Sequence, residues 1–362
     1  MKILLLEAFY GGSHKTFVDT FVKYSCHDID LITLPGRFFK WRTRGAAYYF
    51  IDQIKDISKY DLIFCGSMMS VADLVSHFRQ ELNVPIVSYF HETQFAYPIK
   101  QGEKFDVQYG LNDVATAKAS DYCIFNSMFH KEQFLSDTKK YLSKMPDYQP
   151  LWLINDIDKK SQVIYPCSDF TSNIEKYDIR QLKQNGLLNI VYNHRWEHDK
   201  NPEEFFNVLV RVAKKGYNFN LYVLGESYKN SPEIFEWAKK QLSNHIMHFG
   251  YVESKQDYYK ILALSDLVIS TSWQENYGIS VVEAMSFGCL ALLPKRLSYP
   301  ELLNDERLSA YMYADLEQSL IKVLEMSLED IDEDKQKFVE CMKRFETQNL
   351  VAQLDQLFVR VT

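Results

Sequence analysis

Apolar positions along the chain fall into two alternating kinds of segment. Short, nearly continuous apolar runs are separated by longer stretches in which apolar residues return every three or four positions. The runs KILLLEA, DIDLITL, DLIFCG, PIVSYFH, DYCIFNS and SQVIYP occupy the first half, and LNIVYNH, NFNLYVLG, IMHFG, DLVISTS and CLALLP restart the rhythm in the second. A strand covered by helices on both faces buries every side chain, so it appears as an unbroken apolar run. Helix-length spacers between such runs predict parallel strands joined by crossover helices. The fold class is therefore α/β, with two doubly wound Rossmann-like units. The seam is placed near VIYPCSDF (163–170), giving domains 1–168 and 169–334 and a last helical segment, 335–362, expected to pack back on the first domain.

Two stretches interrupt the rhythm. PGRFFKWRTRGAAYYF (35–50) is basic and aromatic where a short connection would suffice, and SKMPDYQPLWLINDIDKKSQ (143–162) is an irregular connection. Long loops in compact folds often serve binding. With 362 residues, two cores are expected. No apolar run reaches the ~18 residues that cross a bilayer. The six cysteines stand singly, mostly within apolar runs, which suits free thiols in a cytosolic protein. The net charge of −7 disfavours a general nucleic-acid binder. The 19 basic and 19 acidic residues of 1–168 cancel, however, so the acidity belongs to the second half. A polyanion would meet the first.

Candidate chemistry clusters where predicted strands end. In WQENYGISVVEAMSFGC (273–289), DLVISTS supplies a buried strand and ISVVEAMS a helix. Ligands of doubly wound sheets bind at strand carboxyl ends, and the first amides of a helix suit a phosphate. The backbone of Asn276, Tyr277, Gly278, Ile279 and Ser280 is the predicted phosphate cradle. Glu275 and Glu283 flank it as acceptors for hydroxyls, the layout of a nucleotide-sugar. Two solvent-facing acids around a capped helix are the alternative. Arg195 and Lys200, in VYNHRWEHDKNPE, follow another strand and would neutralise a departing diphosphate. Gly11 and Gly12 follow the first strand; both permit positive dihedrals, and Ser13 is expected to cap the next helix. His14 would bind phosphate or acceptor, or simply open a helix. His91 ends the strand PIVSYFH, and Asn126 ends DYCIFNS on the same rim. Three Asp-x-Asp pairs (28–30, 156–158, 330–332) and the pairs His194/His198 and His245/His248 lack completing ligands. No metal and no other cofactor is expected.

The E-x7-E pattern of Glu275 and Glu283 resembles the signature of retaining glycosyltransferases of the GT-B fold, family four. That resemblance implies two Rossmann-like domains facing a central cleft. It implies donor-sugar contact for Glu275, ribose contact for Glu283, a diphosphate clamp of Arg195 and Lys200, a glycine loop at Gly11–Gly12 and a catalytic role for His91 beside the reacting sugar. The family's common form has a glycine where Asn201 stands. Lys200→Ala is expected to cut turnover far more than folding stability.

EAFYGGSHK, WRTRGAAYYF, YFHETQFAYPIK, QYGLNDVATAKASDYCIFNSMFHKEQFL and QVIYPCSDF together resemble the tRNA-queuosine α-mannosyltransferase family over nearly all of 3–170. The resemblance implies mannose transfer from GDP-mannose, as co-substrate, to the cyclopentenediol of queuosine in the anticodon stem-loop of a tRNA for aspartate. The tRNA and the nucleotide-sugar would be its partners, with no membrane. Lys40, Arg42 and Arg44, interleaved with Phe38, Phe39, Trp41 and Tyr48, would contact phosphates and stack on bases. His14, Gln94 and Asn126 would complete the acceptor side, and Lys100, Lys104, Lys139, Lys140 and Lys144 would extend it. The alternative is that the aromatics of FFKWR pack in the core. Two other readings stay open: a GT-B enzyme with another sugar donor and a small-molecule or glycan acceptor, and a catalytically silent tRNA-binding protein.

Overall fold

A computed structural model describes residues 1–95, 106–170, 186–226 and 232–362. Lys100 and Lys104 lie outside the described residues. The chain divides into two units, one of Met1–Asp169 with Glu346–Thr362, the other of Phe170–Phe345.

The first unit holds strands β1 (Lys2–Tyr10), β2 (Asp28–Pro35), β3 (Leu62–Gly66), β4 (Ile86–Phe90), β5 (Tyr122–Phe125) and β6 (Ser161–Val163). They pair in parallel in the order β2-β1-β3-β4-β5-β6. Helices α1 (Gly12–Tyr24), α2 (Phe39–Gln53), α3 (Val71–His77), α4 (Val107–Ala119), α5 (Met128–Leu142) and α6 (Trp152–Lys159) connect them. Successive strand residues face opposite sides, and β1 shows why its run is unbroken. Ile3 and Leu5 pack with Phe17 and Phe21 of α1, whereas Leu4 and Leu6 pack with Ala46 and Phe50 of α2. Each such fully buried side chain is worth about 1.5–3 kcal/mol. Glu7 continues the α1-facing alternation. The strand order reverses between β1 and β3, which marks the switch point where doubly wound sheets bind ligands.

The second unit holds β7 (Asn189–Tyr192), β8 (Asn220–Val223), β9 (Ile246–Phe249), β10 (Leu267–Ile269), β11 (Leu290–Pro294) and β12 (Met312–Tyr313). Their order is β12-β11-β10-β7-β8-β9, again all parallel. Its helices are α7 (Pro202–Lys214), α8 (Ile234–Gln241), α9 (Lys255–Leu264), α10 (Ile279–Ser286), α11 (Tyr299–Leu302), α12 (Leu316–Leu324) and α13 (Leu328–Met342). The switch point lies between β7 and β10. The loops after these two strands carry Lys200 and Glu275.

The expected single segment from 335 to 362 is corrected. α13 stays with the second unit, where Lys335 pairs with buried Asp266 beneath β10. A 3-10 turn at Lys343–Phe345 separates it from α14 (Thr347–Val361), which belongs to the first unit. There Phe358 packs its ring 4.9 Å from Phe64 and Asp355 accepts from the Ser25 hydroxyl at 2.7 Å.

Two candidate active-site rims

At the switch point of the second unit the chain leaves β7 through Asn193, His194 and Arg195 and closes a 3-10 turn at His198–Lys200. Asn201 then adopts the left-handed region, φ 49°. Asparagine is one of the few residues besides glycine that visits this region readily, which accounts for its standing where the family carries glycine. Its side chain also caps α7, accepting from the Glu204 amide at 3.4 Å. Thr271, after β10, donates to the carbonyls of Lys200 and Asn201 at 3.0 and 2.8 Å, so the two loops are stitched together.

Lys200 is thereby held inside. Its side chain is 9% exposed, and Nζ lies 3.1 Å from Glu275 Oε2, 3.2 Å from Asp199 Oδ2 and 3.1 Å from the Gln274 carbonyl. Burial opposes its charge, but the carboxylates of Glu275 and Asp199 outweigh burial and hold the ammonium on. Glu275 responds in kind. Burial pushes its carboxyl up, Lys200 pulls it down further, and the net shift is downward. Arg195 sits differently: it is half exposed and pairs with Glu197 at 3.2 Å.

Gly278 (φ 91°) turns the loop into α10. Val281 and Val282 amides reach back to its carbonyl, and the Ile279 and Ser280 amides precede any intrahelical acceptor. Glu283, one turn in, accepts from Tyr258 at 2.9 Å. Asn193 donates to the Tyr258 hydroxyl at 3.2 Å and to the Ser280 carbonyl at 2.7 Å. Burial pushes the Glu283 carboxyl up to about 7 despite the Tyr258 bond. His194 contacts the Ser280 hydroxyl through Nδ1 at 3.1 Å, and burial pushes it down to about 4. Asn276 accepts from Gln274 at 3.2 Å, and buried Tyr277 is bridged through its carbonyl to Ser298 at 3.0 Å. One charged lysine, two carboxylates of different character and a helix start converge here, a set able to hold an anion flanked by hydroxyls.

The rim of the first unit is built around β1. Gly11 is extended and approaches Gly36 so closely that a Cβ there would lie 3.1 Å from it, while Gly12 takes φ 53°. Of the two glycines, which permit positive dihedrals and close approach, Gly12 uses the first and Gly11 the second. Ser13 does not cap: α1 begins at Gly12 with Gly11 as its cap, so Ser13 lies within the first turn. His14 is buried against Glu7, Nδ1 to Oε1 3.5 Å, and its ring lies 4.0 Å from that of half-buried His91 with a 37° tilt. The ligand-capable atoms of these three residues lie within 4.8 Å of one another. Glu7 Oε1 also accepts from the Phe9 amide at 2.7 Å. Asn126 donates to the His91 carbonyl at 2.8 Å and meets His130 Nδ1 at 2.8 Å. Gln94 hangs from buried Asp113 by its amide at 2.9 Å and donates to Glu92 at 2.9 Å.

The aromatics of 38–48 are not core. Phe38, Trp41 and Tyr48 are 68%, 62% and 61% exposed. The Trp41 indole lies against Gly45, where a Cβ would come within 2.5 Å of it. Phe38 itself holds φ 58° at the start of α2, a strained conformation for a large side chain. Lys40 and Arg44 share this surface, and Arg44 donates to Gln108 at 3.2 Å. Arg42 does not share it: like Thr43, Ala46 and Ala47 of the same helix it is buried. Lys139, Lys140 and Lys144 are exposed at the end of α5.

Four contributors escape a reading of the sequence: Glu7, Asp199, Asn193 and Tyr258. Glu7 did leave a signal, an acid inside an otherwise apolar run. Asp199 precedes Lys200 directly. Nothing in the sequence joins Tyr258 to Glu283, since packing of α9 against α10 makes that contact.

Residues 2–167 match the model of the tRNA-queuosine alpha-mannosyltransferase N-terminal family, and residues 173–344 that of glycosyl transferases group 1. The chain is similar to the tRNA-queuosine alpha-mannosyltransferase of Drosophila melanogaster, 33% identical over 84% of this chain and 82% of that one. Among solved structures it resembles Anabaena HepE in complex with UDP (TM-score 0.69, 16% identity, 99% and 100% of the two chains). It likewise resembles sucrose-phosphate synthase of Thermosynechococcus elongatus (TM-score 0.72, 13% identity, 99% of each chain). The fold is GT-B and the protein a glycosyltransferase. No helix among the described residues is long and apolar enough to cross a membrane. With both halves matched by family models and 33% identity to that relative over 84% of the chain, the chain belongs to the tRNA-queuosine alpha-mannosyltransferase family.

Proposed function

We propose that this protein transfers mannose from GDP-mannose to the cyclopentenediol of queuosine in the anticodon of a tRNA for aspartate, with retention at the anomeric carbon. The observation that carries the proposal is Lys200, buried yet charged at the switch point of the second unit between Asp199 and Glu275, the latter in the loop that leads into α10. A departing nucleoside diphosphate gathers negative charge, and a fixed cation beside helix amides stabilises it without solvent reorganisation. Lys200, Arg195 and the Gly278–Ser280 backbone hold the phosphates. Glu275 orients the donor sugar and Glu283 the ribose. The acceptor hydroxyl attacks on the face from which the phosphate departs, and the departing phosphate oxygen takes its proton.

The first unit supplies the acceptor side. His91, neutral because burial and the His14 charge hold its basicity down, offers a hydrogen-bonding ring without competing for phosphate. The exposed Trp41 and Phe38 rings with Lys40 and Arg44 suit unstacked bases and backbone phosphates of an anticodon loop.

Mass spectrometry of nucleosides from bulk tRNA after incubation with the protein and GDP-mannose tests this reading. A hexose added to queuosine, in EDTA as well as without it, is the expected product. Transfer to tRNA carrying plain guanosine at that position, or none to queuosine while another acceptor is glycosylated, would overturn it. GDP-mannose binding without any transfer would favour the catalytically silent alternative.

A further inference from the structure

A carboxylate inside a parallel sheet is costly to keep, and Glu7 is 1% exposed within β1. Its surroundings are shaped for it. Oε1 accepts from the Phe9 amide at 2.7 Å. Across the pairing of β1 with β3, Gly66 leaves room that no other residue would, since a Cβ there would lie 2.5 Å from Oε2. The register of β1 against β2 shifts between Glu7 and Tyr10, so the strand bends where it turns toward α1. Glu7 faces His14, whose Nδ1 is 3.5 Å from Oε1.

We propose that Glu7 is a positioning residue for the glycosyl transfer: it holds His14 in its doubly protonated form, giving the glycine turn a cation for a substrate phosphate. This rests on the glycosyltransferase reading above and adds a residue and a protonation state to it. His14 is the third residue of α1, where the partial positive charge of a helix start repels a cation. An imidazolium at that place needs a carboxylate behind it. With one, helix start and ring together form an anion site. The phosphate belongs either to the nucleotide-sugar or to the RNA backbone.

The titratable groups around the ring agree with this. They are Glu7 on β1, His91 at the end of β4, Glu92 beyond it and, past His91, His130 on α5. Burial pulls His14 down, and Glu7, helped by Glu92, outweighs it, so the net shift is upward. His91 is pulled down by burial and then by the His14 charge. One charged and one neutral imidazole result from two neighbouring rings.

The test is an NMR titration of the His14 ring in the full chain, assigned by loss of its signal in His14→Gln, with kcat/KM measured against pH. Wild-type His14 should titrate above 6.5, its ordinary value. In Glu7→Gln, which keeps the size and an oxygen for the Phe9 amide, the midpoint should fall by about one unit, a tenfold loss of proton affinity. The basic limb of the kcat/KM profile should move down with it, so the variant loses about tenfold at pH 8 and recovers near pH 5.5. A merely structural role would lower activity equally at all pH values. GDP binding and binding of an unmodified anticodon stem-loop RNA, each with and without the substitution, assign the phosphate to donor or acceptor. A wild-type His14 midpoint at or below 6.5 overturns the proposal even if Glu7→Gln fails to fold. An unmoved midpoint in the folded variant overturns it equally.

Discussion

The two units solve one electrostatic problem with different materials. Each places a buried cation beside a buried or half-buried carboxylate at the switch point of a parallel sheet. In the second unit the cation is Lys200, fixed by Glu275 and Asp199 at 3.1 and 3.2 Å. In the first it is His14, 3.5 Å from Glu7 and with its ring 4.0 Å from a second imidazole. A lysine held by two carboxylates stays charged across the range in which the protein works. An imidazolium held by one can lose its proton near neutrality. The second unit is therefore expected to be indifferent to pH in its cation, and the first to carry the basic limb of the rate profile.

The comparison is broken most severely at Lys200. Lys200→Ala should lower kcat/KM by about a thousandfold. Stability should fall as well, though by less. Removing the ammonium leaves Glu275 and Asp199 confronting each other in a largely dry site, and breaking such a pair costs about 3 kcal/mol. Denaturant unfolding should register that loss, and Glu275→Gln combined with Lys200→Ala should restore part of it. Arg195→Ala is the control. With half of that side chain in water, kcat/KM should fall about tenfold with unfolding free energy unchanged within about 0.5 kcal/mol. Equal stability losses in the two variants would show that Lys200 is not the buried keystone its distances imply.

Architecture was legible in the sequence because both faces of each sheet are covered. Buried strands such as LIFCG and LALLP are unbroken apolar words, and amphipathic helices separate them. The Glu275–Glu283 loop was legible because its chemistry is local, lying within one strand-turn-helix. What stayed hidden depends on packing between segments distant in sequence. Tyr258 reaches Glu283 from another helix, and Glu7 finds its partner only because β1 and α1 pack face to face. Arg42 looked like its neighbours in a basic run, but helical periodicity turns it inward while Trp41 and Arg44 stay outside. The boundary near 335 failed for a similar reason. An amphipathic pattern shows that a helix exists, and Asp266 beneath Lys335 decides which unit holds it.

Trp41 sharpens the contrast between the two units. Its indole is held flat against Gly45, with most of its surface in water. Stacking on a base is worth about 1–3 kcal/mol, so Trp41→Ala should raise the KM for tRNA about tenfold. The KM for the nucleotide-sugar and the unfolding free energy should not move. A Trp41→Ala protein with unaltered tRNA kinetics would take α2 out of the RNA interface. Gly45→Ala, which displaces the indole, should reproduce the effect if flatness of the ring matters.

Glu283 offers the finest distinction, because among the described residues no cation pairs with its carboxylate as Lys200 pairs with Glu275, and the charge of Lys255 is outweighed by burial. Burial pushes it up to about 7, above the 4.5 of an ordinary glutamic acid. Between those values the folded chain holds a proton that the unfolded chain has released. The stability this contributes is complete below pH 4.5 and is lost as pH rises through 7. At pH 8 the ionised carboxylate is a cost. Glu283→Gln should therefore stabilise the protein at pH 8 by about 1 kcal/mol, a figure discounted because solvent still reaches the side chain. The same substitution should weaken GDP binding about fivefold at pH 8, since a ribose hydroxyl donates best to the ionised form. Wild-type affinity should decline below pH 7 as Glu283 takes up its proton, and Glu283→Gln should abolish that decline. Calorimetric titration in buffers of different ionisation enthalpy would reveal proton release on binding near pH 6. If binding at that pH releases no proton, Glu283 does not hold the ribose, and the second carboxylate of this unit serves the fold alone.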